Sequence, residues 1–127
     1  MGSYAGDIIA TDAWGVLSSE SESFLVDVRT KDEWANSGMA DLSTIGKKVV
    51  KIELLSSPNY ELNQSFSKEL QEQVSSKDAK LLFLCKLGGR SSAAAEAITN
   101  LGYKNCYNVI GGMEEGWKIN GLPWRMA

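Results

Sequence analysis

Cys85-Lys86-Leu87-Gly88-Gly89-Arg90-Ser91 gathers a thiol, two cations, two glycines and a hydroxyl into one short stretch. The apolar run Leu81 to Leu84 before it reads as a buried strand, and the alanine-rich stretch after it reads as a helix. Loop amides and the positive end of that helix then face a single sulfur atom. A thiol in such surroundings gives up its proton readily, and the surroundings hold an anion well. The chemistry implied is a nucleophilic cysteine that attacks, or carries, something negatively charged. Gly88 and Gly89 allow a tight turn and close backbone approach. Arg90 adds a forked, permanent charge just before the helix, and Lys86 a second cation beside the sulfur. Each residue also has a plain reading. A cysteine closing an apolar strand is commonly inert core, Arg90 can be paired with a carboxylate, and Lys86 can be a solvated surface charge.

The elements that must position this loop can be read along the chain. Ile8-Ile9 suggests a small strand, followed by a helix carrying Trp14 and Leu17. Phe24 to Val28 is a short buried-strand pattern. Thr30 to Asn36 has the early acids Asp32 and Glu33 and then Gly38, as a short helix requires. Val49 to Ile52 is a further strand, and Phe66, Leu70 and Val74 recur at helical spacing. Lys80 to Leu84 is the strand entering the cysteine, Ser91 to Leu101 a helix stopped by Gly102, and Cys106 to Ile110 the last strand. Strands spaced by helices predict an α/β fold with a mostly parallel sheet covered on both faces. Ligands in such folds sit beyond the carboxyl ends of strands, which is where Cys85 stands.

Composition narrows the function. The 127 residues suit one ordinary domain, spanning 1–127, with Met1-Gly2-Ser3 set apart as a disordered or vector-derived lead. A net charge of -3 argues against nucleic acid or an acidic membrane as partner. Lys47, Lys48 and Lys51 read as the solvated face of a strand. The amino terminus lacks the basic and apolar regions of a secretory leader, and the two cysteines are without metal-type spacing. The cytoplasm is therefore the expected location. Histidine is absent, so no Cys-His or Ser-His pair can form within the chain, and neither metal nor cofactor is expected.

The loop resembles the active-site loop of the rhodanese-like sulfurtransferases, whose common bacterial form is Cys-x-x-Gly-x-Arg-Ser. Leu25-Val26-Asp27-Val28-Arg29 with Glu33-Trp34 is similar to the family's early Asp-Val-Arg…Glu-aromatic signature. Asn108-Val109-Ile110-Gly111-Gly112-Met113 with Trp117 resembles its late Gly-Gly…Trp signature, and Gly121-Leu122-Pro123-Trp124 its usual ending. Any one of these is weak, but four in the correct order are a specific signal. Gly38-Met39 stands where the family usually has Gly-His, and Ala40 to Lys48 departs from the family's pattern.

The resemblance implies a three-layer sandwich around a five-stranded sheet, and a persulfide on Cys85. A sulfane sulfur would pass from a small anionic donor such as thiosulfate to a thiol or to cyanide. Lys86, Leu87, Gly88, Gly89, Arg90 and Ser91 would bind the donor, with a protein sulfur acceptor left open. Asp27, Arg29 and Glu33 would be supporting residues, more framework than contact. Trp34 could line the site, with core anchoring the preferred reading. Cys106 is expected to be inert, and Trp117 and Trp124 to pack the carboxyl-terminal segment. One alternative is a persulfide carrier or regulatory module docking to a protein, which exposed apolar residues on Ala40 to Ser57 would favour. The other is a cysteine phosphatase or arsenate reductase, whose Cys-to-Arg loop is one residue longer.

Overall fold

The computed structural model describes residues 3–126, so of the set-apart lead Met1 and Gly2 lie outside the described residues. Strand β1 (Gly6–Ile8) leads into helix α1 (Ala10–Ser19), then β2 (Ser23–Asp27) and α2 (Lys31–Ser37). Short strands β3 (Met39–Ala40), β4 (Val50–Lys51), β5 (Leu55–Ser56) and β6 (Glu61–Leu62) come next, followed by α3 (Phe66–Gln73). β7 (Lys80–Leu84), α4 (Gly89–Thr99) and β8 (Asn105–Val109) follow. A π-helical turn (Gly112–Trp117) and β9 (Trp124–Arg125) complete the order.

Five strands form the main sheet in the order β1-β8-β7-β2-β4. Every neighbouring pair in it is parallel, a sharper result than the mostly parallel sheet expected. β7 lies at the centre and is apolar throughout because both of its faces are covered. Leu81, Phe83 and Cys85 join the cluster containing α3 and α4, with Phe66, Leu70, Ala94 and Ile98. Leu82 and Leu84 point the other way, to Ala13 and Leu17 of α1 and to Met113 and Trp117 of the π turn. The period-2 alternation of one strand thus builds both halves of a three-layer sandwich. Trp117 is fully buried, meets Trp14 edge-on at 5.9 Å, and donates its indole N–H to Pro123 O at 2.7 Å.

From β2 the chain steps outward to β4, whereas from β7 it steps the opposite way to β8. The strand order therefore reverses between β2 and β7, and a crevice opens beyond their carboxyl ends. The segments leaving β2 and β7 are Val28 to Glu33 and Cys85 to Arg90.

Several boundaries and contacts differ from the sequence reading. α4 begins at Gly89, two residues early, so Arg90 lies inside the first helical turn and not before it. Lys47 is not a solvated charge: its ammonium donates to Glu20 O (2.7 Å), Ser23 O (3.0 Å) and Ser23 Oγ (2.7 Å), tying down the start of β2. Burial pushes its pKa below the usual lysine value. Gly38-Met39 serves a local sheet, with Met39 and Ala40 pairing antiparallel with Arg125 and Trp124. Trp124 itself is about two-fifths exposed, under the Lys118 ammonium at 4.2 Å.

Candidate active site

Cys85 leaves the end of β7 almost wholly buried, at 1% exposure. The Gly88 N–H donates to its Sγ at 3.1 Å, and the Ser91 hydroxyl lies 3.2 Å from the same atom. Of the loop amides, Gly88 alone donates to Sγ directly. Among the described residues, the N–H groups of Leu87, Gly89, Arg90 and Ser91 donate to no protein acceptor. Three of the four belong to the first turn of α4, where a helix has no internal partner for its amides. Together they form a cup of unpaired donors next to a sulfur, suited to an anion.

Two glycines are required for this shape. Gly88 has φ +122, which a side chain rarely tolerates, although a Cβ there would meet nothing closer than 3.8 Å. Gly112 is limited by space as well: a Cβ would fall 2.5 Å from the carbonyl oxygens of both Cys85 and Lys86. That closeness lets Met113 N–H donate to Cys85 O (2.8 Å) and Glu114 N–H to Lys86 O (3.1 Å). The carboxyl-terminal Gly-Gly is thus the floor on which the cysteine loop rests.

Arg90 turns toward Glu33. Its two terminal nitrogens donate to the two carboxylate oxygens at 2.6 and 2.8 Å, a bidentate pair across the crevice. Glu33 also caps α2, accepting from Thr30 N–H at 3.1 Å while Thr30 Oγ1 accepts from Glu33 N–H at 3.2 Å. Burial alone would raise its pKa. The hydrogen bond from Arg90, with those from Thr30, outweighs burial and brings it down to about 2. Both nitrogens of the Arg90 fork are therefore committed to locking the loop against α2. Lys86 is exposed and, among the described residues, its ammonium makes neither ion pair nor hydrogen bond, so its charge is available to a ligand.

Asp27 and Arg29 form a fully buried pair at 2.8 Å, and Arg29 also donates to Gly38 O at 2.8 Å. They are a framework joining the end of β2 to the start of β3. Trp34 corrects the preferred core reading. It belongs to neither buried cluster and lines a cavity of about 270 Å³ with Lys51, Glu53 and Asn63. Among the described residues its indole N–H is buried without a partner, and the Lys51 ammonium lies 5.6 Å from its ring. A larger cavity of about 460 Å³, between Met39, Leu42, Val49 and Arg125, includes none of residues 85–91. Its lining mixes apolar side chains with Asp41, Ser43, Lys47, Lys48, Lys51 and Arg125 and holds no cysteine.

Cys106 is fully buried, and burial raises its thiol pKa. It pairs in register with Leu81, four residues before Cys85. That is about 13 Å along the strand, too far for a disulfide.

The sequence reading missed Asn108 and Asp7 as neighbours of the site. Ser91 Oγ donates to Asn108 Oδ1 at 2.5 Å, and Asn108 Nδ2 donates to Asp7 Oδ1 at 3.2 Å. In the sequence Asn108 stands only as part of a strand and a glycine motif, and Asp7 carries no signal, because the pairing of β1 with β8 is what sets the two side by side.

The family model described as the STR4 middle domain matches residues 5–127. Uncharacterized protein RC0915 of Rickettsia conorii is 40% identical over 125 residues, covering 94% of this chain and 96% of that protein. The rice (Oryza sativa subsp. indica) chloroplastic protein THYLAKOID RHODANESE-LIKE is 31% identical over 122 residues, which cover 94% of this chain but only 25% of that protein. The crystal structure of Rv0390 from M. tuberculosis superposes with a TM-score of 0.88 at 38% identity, covering 98% of this chain and 100% of the other. The polysulfide-sulfur transferase homodimer of Wolinella succinogenes gives a TM-score of 0.73 at 24% identity, over 94% and 77% of the two chains. At that identity the likeness is one of fold.

Proposed function

The chain belongs to the rhodanese-like family, and from that premise we propose that Cys85 accepts a sulfane sulfur as a persulfide and passes it to a thiophilic acceptor. In the proposed cycle the Cys85 thiolate attacks the outer sulfur of a donor such as thiosulfate. A bond forms between Sγ and that sulfur, the donor's own sulfur–sulfur bond breaks, and sulfite leaves with the electron pair. Cyanide or a thiolate then attacks the outer sulfur of the persulfide and releases the Cys85 thiolate. One transfer is split into two displacements at a single nucleophile.

The observation that carries this reading is the buried sulfur, bonded to Gly88 N–H and bordered by four amides with no partner among the described residues. Fixed donors of this kind stabilise developing negative charge without reorganising, each contributing on the order of 3 kcal/mol when well placed. Lys86 supplies the free positive charge that draws the donor in, and two buried free thiols suit a reducing cytoplasm. Phosphate-ester hydrolysis is disfavoured because Arg90, the residue that would clamp a phosphate, is held by Glu33.

A persulfide carrier handing sulfur to a partner protein is the second reading. Apolar exposure supports it at the loop itself, where Leu87 and Ile110 are each about half exposed. The Ala40 to Ser57 segment does not contribute, since its large apolar residues are buried or partly so.

Intact-mass analysis after incubation with thiosulfate tests the proposal. A gain of one sulfur atom is expected, absent in Cys85→Ser and removed by cyanide. No adduct with thiosulfate or any other sulfane donor would refute it.

A further inference from the structure

A line of hydrogen bonds runs from the surface to the nucleophile. Tyr4 OH donates to Asp7 Oδ1 at 2.7 Å, and Asn108 Nδ2 donates to the same oxygen at 3.2 Å. Ser91 Oγ donates to Asn108 Oδ1 at 2.5 Å, and Cys85 Sγ lies 3.2 Å from Ser91 Oγ. Asp7 is exposed, whereas Asn108, Ser91 and Cys85 are 7%, 0% and 1% exposed.

The donor inventory fixes the direction of every link. An ionised carboxylate only accepts, so Asn108 must turn its NH2 toward Asp7 and leave its carbonyl oxygen facing Ser91. Ser91 has one proton, and that proton goes to Asn108. A lone pair of the Ser91 oxygen is then what faces Cys85.

We infer that Asp7, acting through Asn108, is a positioning residue that sets the Ser91 hydroxyl as an acceptor toward Cys85 Sγ. The inference rests on the reading of Cys85 as the reacting thiol. In this setting Ser91 accepts from the protonated thiol. Toward a thiolate, whether free or released from the persulfide, the same lone pair is repulsive. The hydroxyl must leave Asn108 and swing to the sulfur, and the Asp7–Asn108 contact resists that swing. Gly88 N–H, the unpaired amides of Leu87, Gly89, Arg90 and Ser91, and the cations Lys86 and Arg90 favour its charged form. The relay is the counterweight.

Asp7→Asn removes the constraint, because an amide at position 7 can donate to Asn108 Oδ1. Asn108 then flips, its NH2 donates to Ser91, and the Ser91 proton turns to the sulfur. The test is the rate of iodoacetamide alkylation at Cys85, followed by peptide mass at one neutral pH. It is measured in wild type, Asp7→Asn, Ser91→Ala and the double variant. Asp7→Asn is expected to react roughly threefold faster, the effect of about one net hydrogen bond, and the acceleration is expected to vanish in the Ser91→Ala background. An unchanged rate in Asp7→Asn would overturn the inference. So would an equal acceleration in both backgrounds, which marks a through-space charge effect instead. A second readout does not depend on Ser91→Ala folding. In the 15N-labelled protein the Asn108 side-chain amide protons should show contacts to Asp7 in wild type and to Ser91 in Asp7→Asn. Contacts to Ser91 already in wild type would overturn it. Alkylation needs no sulfur donor, so a failed relay and a failed persulfide reading give separate results.

Discussion

The Glu33–Arg90 pair is the link that closes the crevice, and its strength can be worked out. Glu33 falls from an ordinary carboxyl pKa of 4.5 to about 2 in the folded protein. Linkage converts such a shift at about 1.4 kcal/mol per pKa unit, for an upper figure of roughly 3.4 kcal/mol. Both side chains are about one-fifth exposed, so screening reduces this to about 2 kcal/mol. The folded pKa lies below the unfolded one. The contribution is therefore fully present above about pH 4.5 and is lost as the pH falls toward 2. Glu33→Gln keeps the shape and an acceptor for Thr30 N–H while removing the charge. At pH 7 urea unfolding should show the variant about 2 kcal/mol less stable, near 8 °C in melting temperature for a chain of this size. Repeating the titration at falling pH should shrink the gap until the two proteins meet near pH 2. A gap of the same size at pH 7 and pH 2, or none at pH 7, would refute the assignment of the pair as the lock.

Gly112→Ala should be among the most damaging single methyls in the molecule. It strikes the Cys85 and Lys86 carbonyls at 2.5 Å, and a loss of at least about 3 kcal/mol, with little persulfide formed by mass, is expected. Lys47→Ala and Lys48→Ala should separate sharply in thermal unfolding. The first takes the ammonium donor from Ser23 O and Ser23 Oγ and one of two donors from Glu20 O and should cost about 2 kcal/mol, while the exposed second should stay within about 0.5 kcal/mol. Lys86→Ala should raise the thiosulfate concentration needed for half-loading by roughly threefold at low salt. That difference should fade as salt is added.

Much of the site was legible because its information is local. Leu81 to Cys85 alternates between two faces, and one such strand announces both layers. Thr30 and Glu33 carry a capping box within four consecutive positions, and Gly88 declares a turn. What escaped was non-local. Glu33 and Arg90 are 57 positions apart, and Asp7 and Asn108 are 101. No periodicity links such residues until β1 has paired with β8 and α2 has docked beside α4. Lys47 read as solvated because lysine usually is. Only the path of the chain past the start of β2 shows carbonyls awaiting a donor. Trp34 was read as core by residue type, yet α2 buries none of its residues and offers no core for it to enter.

The two short bonds beneath Cys85 also have a stereochemical consequence. In a trans peptide the carbonyl and the following N–H point in opposite directions. Once Met113 and Glu114 hold the oxygens of Cys85 and Lys86, the next two amide hydrogens, those of Lys86 and Leu87, are obliged to face away from the π turn. The polarity of the loop is thus dictated from below, by the π turn. β8 and the two glycines after it act as a keel, and a change that lets the π turn ride up would rotate those amides.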